Sequence, residues 1–291
     1  MPDLVVGTSV RRLRILALVG TGVLVTTYLV FVLTAVGQAI GDAAYLGRLA
    51  ESKALLVFDK GFLSAIDLKV FLCAALILVI VAAFRRQWLA AVAIAIAYAA
   101  SILTAEALKF ILPRPILAAD YENLMGSKDG LNTFPSGHAT FITALVLGLI
   151  FLVPVRARVG VAIGGLTMVI LVTGSVVLAG WHRPSDAVGG IALALTCQSL
   201  AAAWVLRRRG VPVTGPVSVR ALPCAGALIA ALATVTLVLS VSHPKVEGLA
   251  ALIAVEVLIF AWAVTAVTLV TGALSTVDLR AAASISRRPH P

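Results

Sequence analysis

The sequence predicts an all-α fold, a polytopic membrane helical bundle of about eight transmembrane helices. Composition is the first reason. The 291 residues are 61% hydrophobic and 12% charged, with a mean hydropathy of +1.08, too apolar to wet a surface on every side. Pattern is the second, because apolar runs recur that are long enough for a helix to cross a ~30 Å hydrocarbon layer. The third is charge distribution. The net charge of +10 gathers in alternate loops, which is a topology signal and excludes a nucleic-acid patch.

The elements follow in order. Residues 1–14 form a polar cytoplasmic lead ending in Arg11-Arg12-Leu13-Arg14. The apolar run from Ile15 to Ile40 exceeds the ~7–15 residues of a signal-peptide core and reads as a retained first span. A mixed loop up to Phe62 suits an interfacial helix. Span two runs from Leu63 to Phe84 and stops at Arg85-Arg86, and span three runs from Trp88 to Leu112 and is closed by Pro113. After a polar loop, span four starts at Phe134-Pro135-Ser136-Gly137-His138 and ends near Pro154.

Span five covers Val159 to Gly180, and span six runs to Leu206, where Arg207-Arg208-Arg209 stops it. Residues 1–14 and 15–206 are thus a lead and a six-span core, and 207–220 a cytoplasmic linker. Two further helices fill 221–272, and 273–291 is a cytoplasmic tail. The three cysteines, Cys73, Cys197 and Cys224, fall in apolar segments without paired spacing and read as packing residues.

Loops on the N-terminal side hold the arginines almost to the exclusion of acids, with only Asp3 and Asp278 against them. By the positive-inside rule both termini are cytoplasmic. The end of span three, the start of span four and the junction of spans five and six then share the extracytoplasmic side, where the unusual polar residues lie.

The first N–H groups of a helix lack intrahelical partners and carry about half a positive charge. A phosphate placed over Ser136 and Gly137 would accept those N–H bonds, Gly137 permitting close approach because it has no Cβ, with His138 beside it. Lys109 and Arg114 flank the break at Pro113 and bring two cations to the same side. Four residues separate His182 from Asp186. On one helix face the carboxylate holds Nδ1–H and leaves Nε2 as a nucleophile. Arg183 adjoins it. Together these groups fit phosphoryl transfer through a phosphohistidine without a metal or other cofactor: cations for the non-bridging oxygens, one imidazole to attack and one to protonate the leaving oxygen.

These motifs resemble those of the type-2 phosphatidic acid phosphatase superfamily of membrane lipid phosphatases, which carry a Lys…Arg-Pro stretch, PSGH and a Ser-Arg…His-x-x-x-Asp stretch. The resemblance covers roughly residues 60–206, a six-helix phosphatase-like core. It implies His182 as nucleophile, Asp186 as its orienting carboxylate, His138 as acid then base, and Lys109, Arg114, Ser136 and Gly137 as phosphate ligands. The implied substrate is a lipid phosphate or polyprenyl phosphate or pyrophosphate.

Two positions depart from the pattern. Only Phe110-Ile111-Leu112-Pro113 separates Lys109 from Arg114, where the family has six residues, and Val176 stands where the family has Arg. Arg183, Lys128, Arg48, Lys53 and Lys60 are substitutes for the missing cation. Other polar residues have local readings. Asp67 and Lys69 pair or line the pocket entry, Glu106 steadies Lys109, and Glu256 is a neutral, hydrogen-bonded acid between helices. Gly164-Gly165 and Gly189-Gly190 read as helix-packing sites. A lipid phosphotransferase and a non-catalytic headgroup-binding partner of a neighbouring membrane enzyme are the alternative functions. A transporter ranks last for want of an inverted repeat.

Overall fold

Helices make up nearly all of the regular structure, because an apolar backbone inside a membrane satisfies its own N–H and C=O groups only in that form or in a closed barrel. The computed structural model describes residues 2–117, 132–213, 215 and 217–279. The helices are α1 (Pro2–Thr27), α2 (Ala35–Gly47), α3 (Lys53–Ser64), α4 (Leu68–Phe84), α5 (Trp88–Ile111), α6 (Gly137–Leu152), α7 (Arg158–Leu178), α8 (Pro184–Arg209), α9 (Ala221–Leu239) and α10 (Leu249–Leu274). Among the described residues six are long and apolar enough to cross a membrane, seven if the bent pair α3 and α4 forms one broken span, and α6 is a shorter apolar helix. The protein is a multi-pass, all-α membrane bundle.

Several boundaries differ from the sequence reading for identifiable reasons. The lead is not separate, since α1 starts at Pro2. Arg11 and Arg12 are exposed while Val10 and Leu13 are buried, so the arginines ride the wet side of a continuous helix. The first span breaks after Val32, where Thr34 caps α2 by accepting the Gly37 N–H at 3.0 Å. The Asp67 carboxylate meets the backbone of Lys69. It caps α4, accepting the N–H groups of Lys69 (2.9 Å) and Val70 (3.2 Å), as an N-cap acid does.

The helix α8 is the axis of the bundle and packs against α1, α2, α5, α6, α7 and α10. Small residues set the spacing. A Cβ at Gly190 would fall 2.7 Å from the Ser136 carbonyl oxygen, one at Gly189 would fall 2.5 Å from the Phe134 ring, and one at Gly165 would fall 2.5 Å from Val146. Gly164 has open space around it and is not a packing site. The close approach of α8 to the start of α6 thus depends on two adjacent glycines, and it positions the polar end of the bundle.

At the opposite end, near the chain termini, β1 (Gly210–Pro212) pairs antiparallel with β2 (Val277–Leu279). Asp278 accepts from Arg85 at 3.0 Å and Arg158 at 3.3 Å. The buried Arg158 also donates to the carbonyls of Ile150 and Val277. Both β1 and β2 also touch α1.

Candidate functional site

Two helix starts meet at the far end of the bundle. Pro184 opens α8 at a position where its missing N–H costs nothing, and Asp186 on the same first turn accepts the Arg183 N–H at 3.1 Å. Ser136 caps α6, its hydroxyl accepting the Ala139 N–H at 3.4 Å, while the Ser136 N–H donates to the Asp186 carbonyl at 2.9 Å. The PSGH and HxxxD segments are therefore joined by their backbones.

The carboxylate of Asp186, fully buried, is the hub. It accepts from Thr133 Oγ1 at 2.6 Å, from Arg114 Nη1 at 3.1 Å and from Ser185 Oγ at 3.2 Å, and it lies 3.4 Å from His182 Nδ1. His182 does not share a helix face with Asp186 as the spacing suggested. It precedes α8, in the loop where its N–H and that of Trp181 donate to the Val176 carbonyl at 3.0 and 3.1 Å. The capping carboxylate reaches it instead. With Nδ1 facing the carboxylate, Nε2 is the ring nitrogen free to react.

Arg114 is held by one edge only. Its Nη1 binds Asp186 and Thr133, while Nε and Nη2 are buried without a hydrogen-bond partner among the described residues. Those two nitrogens form the edge of a guanidinium fork that matches two oxygens of a phosphate. Unsatisfied buried donors are costly, so their presence marks a place for an anion.

Lys109 sits on the last turn of α5, paired with Glu106 at 2.7 Å. A Cβ at Gly137 would lie 2.7 Å from Glu106 Oε1 and 3.6 Å from Lys109 Nζ, so the pair lies close over the start of α6. The Glu106 carboxylate occupies the position favoured for an anion at a helix N-terminus. His138, one residue into α6, has its ring centroid 5.5 Å from that of Trp181 and 6.3 Å from that of Phe71. Its Nε2 is buried without a hydrogen-bond partner among the described residues, and the two imidazoles are near enough to interact electrostatically. The site residues predicted from sequence thus gather at one end of the molecule.

The comparisons with known proteins bear on what that gathering is. Residues 88–210 match the PAP2 superfamily. This agrees with the resemblance drawn from the motifs, and the matched stretch runs from the start of α5 to the end of α8, carrying all three. The match suggests a phosphatase-type site for phosphate esters within this stretch. No curated protein and no solved structure gives a match to the chain.

Two features separate this site from the family pattern that the motifs resemble. The side chain of Val176 is fully buried in the apolar core and brings no charge to the His182 loop. Arg183 turns to α2, where its guanidinium pairs with Asp42. Arg48, at the end of α2, lies against the same loop: a Cβ at Gly180 would fall 2.9 Å from its Cζ. Its guanidinium stacks 4.2 Å from the Tyr45 ring centroid, and its Nε is buried without a hydrogen-bond partner among the described residues. Lys128 lies outside the described residues.

Sequence reasoning missed Thr133, Asn132 and Gln38. Asn132 donates to the carbonyls of Leu112 and Phe134 at 3.1 and 3.3 Å. Gln38 donates to the Pro115 carbonyl at 2.6 Å and accepts the Leu117 N–H at 2.9 Å, fixing the Arg114 loop from both sides. An amide within the first apolar run was the available signal for Gln38. Thr133 has none beyond lying three residues before Ser136.

Proposed function

We propose that the protein is a lipid phosphate phosphatase acting at the extracytoplasmic face of the cytoplasmic membrane through a phosphohistidine on His182. The observation that carries this reading is the half-satisfied Arg114. One edge of its guanidinium is locked to the carboxylate that orients His182, and the other edge has no hydrogen-bond partner among the described residues.

The chemistry follows from the geometry. With substrate phosphate on Arg114 Nε and Nη2 and the N–H groups of α6, His182 Nε2 forms a bond to phosphorus as the ester P–O bond breaks. The leaving oxygen takes its proton from His138, and Asp186 balances the charge on the phosphoimidazolium. Water then attacks phosphorus, giving its proton to His138. The P–N bond electrons return to Nε2 and phosphate departs. Arg48 is the donor that substitutes for the Arg absent at Val176, because it is the cation lying on the His182 loop. Arg183 instead ties α8 to α2. The Glu106 carboxylate must leave the α6 start when phosphate binds, which frees Lys109 to follow the incoming anion.

Lipid phosphates presented in detergent micelles, with inorganic phosphate as the readout, test the assignment beside His182→Ala. Phosphate release by the native protein and none by the variant is expected, whereas equal release by both would end the proposal. A headgroup-binding partner without turnover is the second reading, favoured by the uncharged Val176. Saturable binding of a lipid phosphate by the native protein without phosphate release would establish it.

A further inference from the structure

A second polar centre lies inside the bundle, away from the hydrogen bonds of Asp186. A cavity of about 190 Å³ opens between α3, α7, α9 and α10, and its walls include Phe58, Asp59, Ser175, Glu256 and Phe260. Asp59 and Glu256 are 2% and 0% exposed. Asp59 Oδ1 accepts the Ser175 hydroxyl at 2.6 Å. Asp59 Oδ2 and both carboxyl oxygens of Glu256 have no hydrogen-bond partner among the described residues. The expectation of a hydrogen-bonded Glu256 is thus corrected: it is buried at the wall of the cavity, with no donor to its carboxyl group among the described residues. Gly174 lies alongside it, where a Cβ would be in ordinary contact with Glu256 Oε2 at 3.4 Å. Glu51 lies within electrostatic reach of both acids.

We propose that this cavity binds the primary ammonium group of an amphiphile. Three acceptor oxygens lack donors, and an ammonium –NH₃⁺ offers three. A buried carboxyl group is either protonated or paired with a cation, and among the described residues no basic side chain lines this cavity. A hard metal ion requires about six or more oxygen ligands. Among the described residues the other side-chain oxygens on the walls are the hydroxyls of Ser175, already donating to Asp59, and Thr236, donating to the Leu232 carbonyl, and no group of three or more His, Cys, Asp or Glu side chains is placed to hold a metal. The remaining walls are apolar and include two phenyl rings that attract an organic cation. They run out to Phe58 and Leu171, both exposed on the apolar flank of the bundle, where the ligand's hydrocarbon chain lies among the lipids.

The test uses the full-length protein in detergent, titrated calorimetrically with dodecylammonium, dodecyltrimethylammonium and dodecanol. These probes share a chain and differ in charge and N–H donors. Saturable binding of dodecylammonium at least tenfold tighter than either other probe is expected. That preference should vanish in Glu256→Gln and survive in His182→Ala, which separates this site from the phosphate site. Equal binding of the three probes, or a Glu256→Gln protein that keeps the preference, overturns the proposal. If Glu256→Gln does not fold, the three-probe comparison on the native protein decides alone.

Discussion

The two ends of the bundle use the same residue types to opposite effect. Near the termini, Arg158 and Arg85 share Asp278, and Arg158 places its remaining donors on main-chain carbonyls. At the other end Arg114 also pairs with a buried aspartate, yet among the described residues two of its nitrogens, Arg48 Nε and His138 Nε2 have no hydrogen-bond partner. A buried donor left without an acceptor costs roughly 1–3 kcal/mol. An end that is fully satisfied therefore reads as a clamp, and an end that tolerates several unsatisfied donors reads as a site waiting for an anion.

Substitutions at the two ends should separate along that line. The largest effect belongs to His182→Ala. Loss of the nucleophile should reduce phosphate release by more than about 10⁴-fold, with the thermal unfolding midpoint near that of the native protein. Any turnover within tenfold of native would break the comparison at its centre.

Next is Arg48→Ala. Removing one transition-state donor typically costs about 10²–10³ in kcat. Arg48→Ala should show that drop, whereas Arg183→Ala should mainly lower the unfolding midpoint, because its guanidinium joins α8 to Asp42. The reverse pattern would give the phosphate contact to Arg183.

A smaller change is expected for Glu106→Gln. Removing the negative charge over the α6 start should lower KM about three- to tenfold with kcat little altered, since an anion at a helix N-terminus contributes roughly 0.3–1 kcal/mol and Lys109 is released at the same time. A raised KM would mean that Glu106 serves to position Lys109.

The smallest effect on chemistry should come from the clamp. Arg158→Met leaves Asp278 with one partner fewer and should destabilise the fold by about 3–5 kcal/mol, read as a lower unfolding midpoint. Its kcat/KM measured on folded protein should match the native value. A selective loss of kcat would show that the two ends are coupled through α7.

Much of this arrangement was legible in the chain. The spans Trp88–Ile111, Ala221–Leu239 and Leu249–Leu274 fall close to where hydropathy and breakers placed them, and the PSGH helix start is capped by Ser136 as the motif suggests. The HxxxD pair was read correctly as a contact but for the wrong local reason, because a capping carboxylate can reach back to a residue before its helix. The capping role of Asp67 was not read, because N-capping and ion pairing use the same residue types within the same few positions.

What the sequence determined by itself was the apolar spans, the side on which the polar breaks collect and the residue types available there, since these depend on local hydropathy and local backbone geometry. Which charges are satisfied and which are bare was decided by the tertiary structure. Arg114 meets Asp186 across 72 positions, Arg183 meets Asp42 across 141, and Ser175 meets Asp59 across 116. Such partners are fixed by how α2, α3 and α8 pack, and neither composition nor periodicity encodes a contact at that separation.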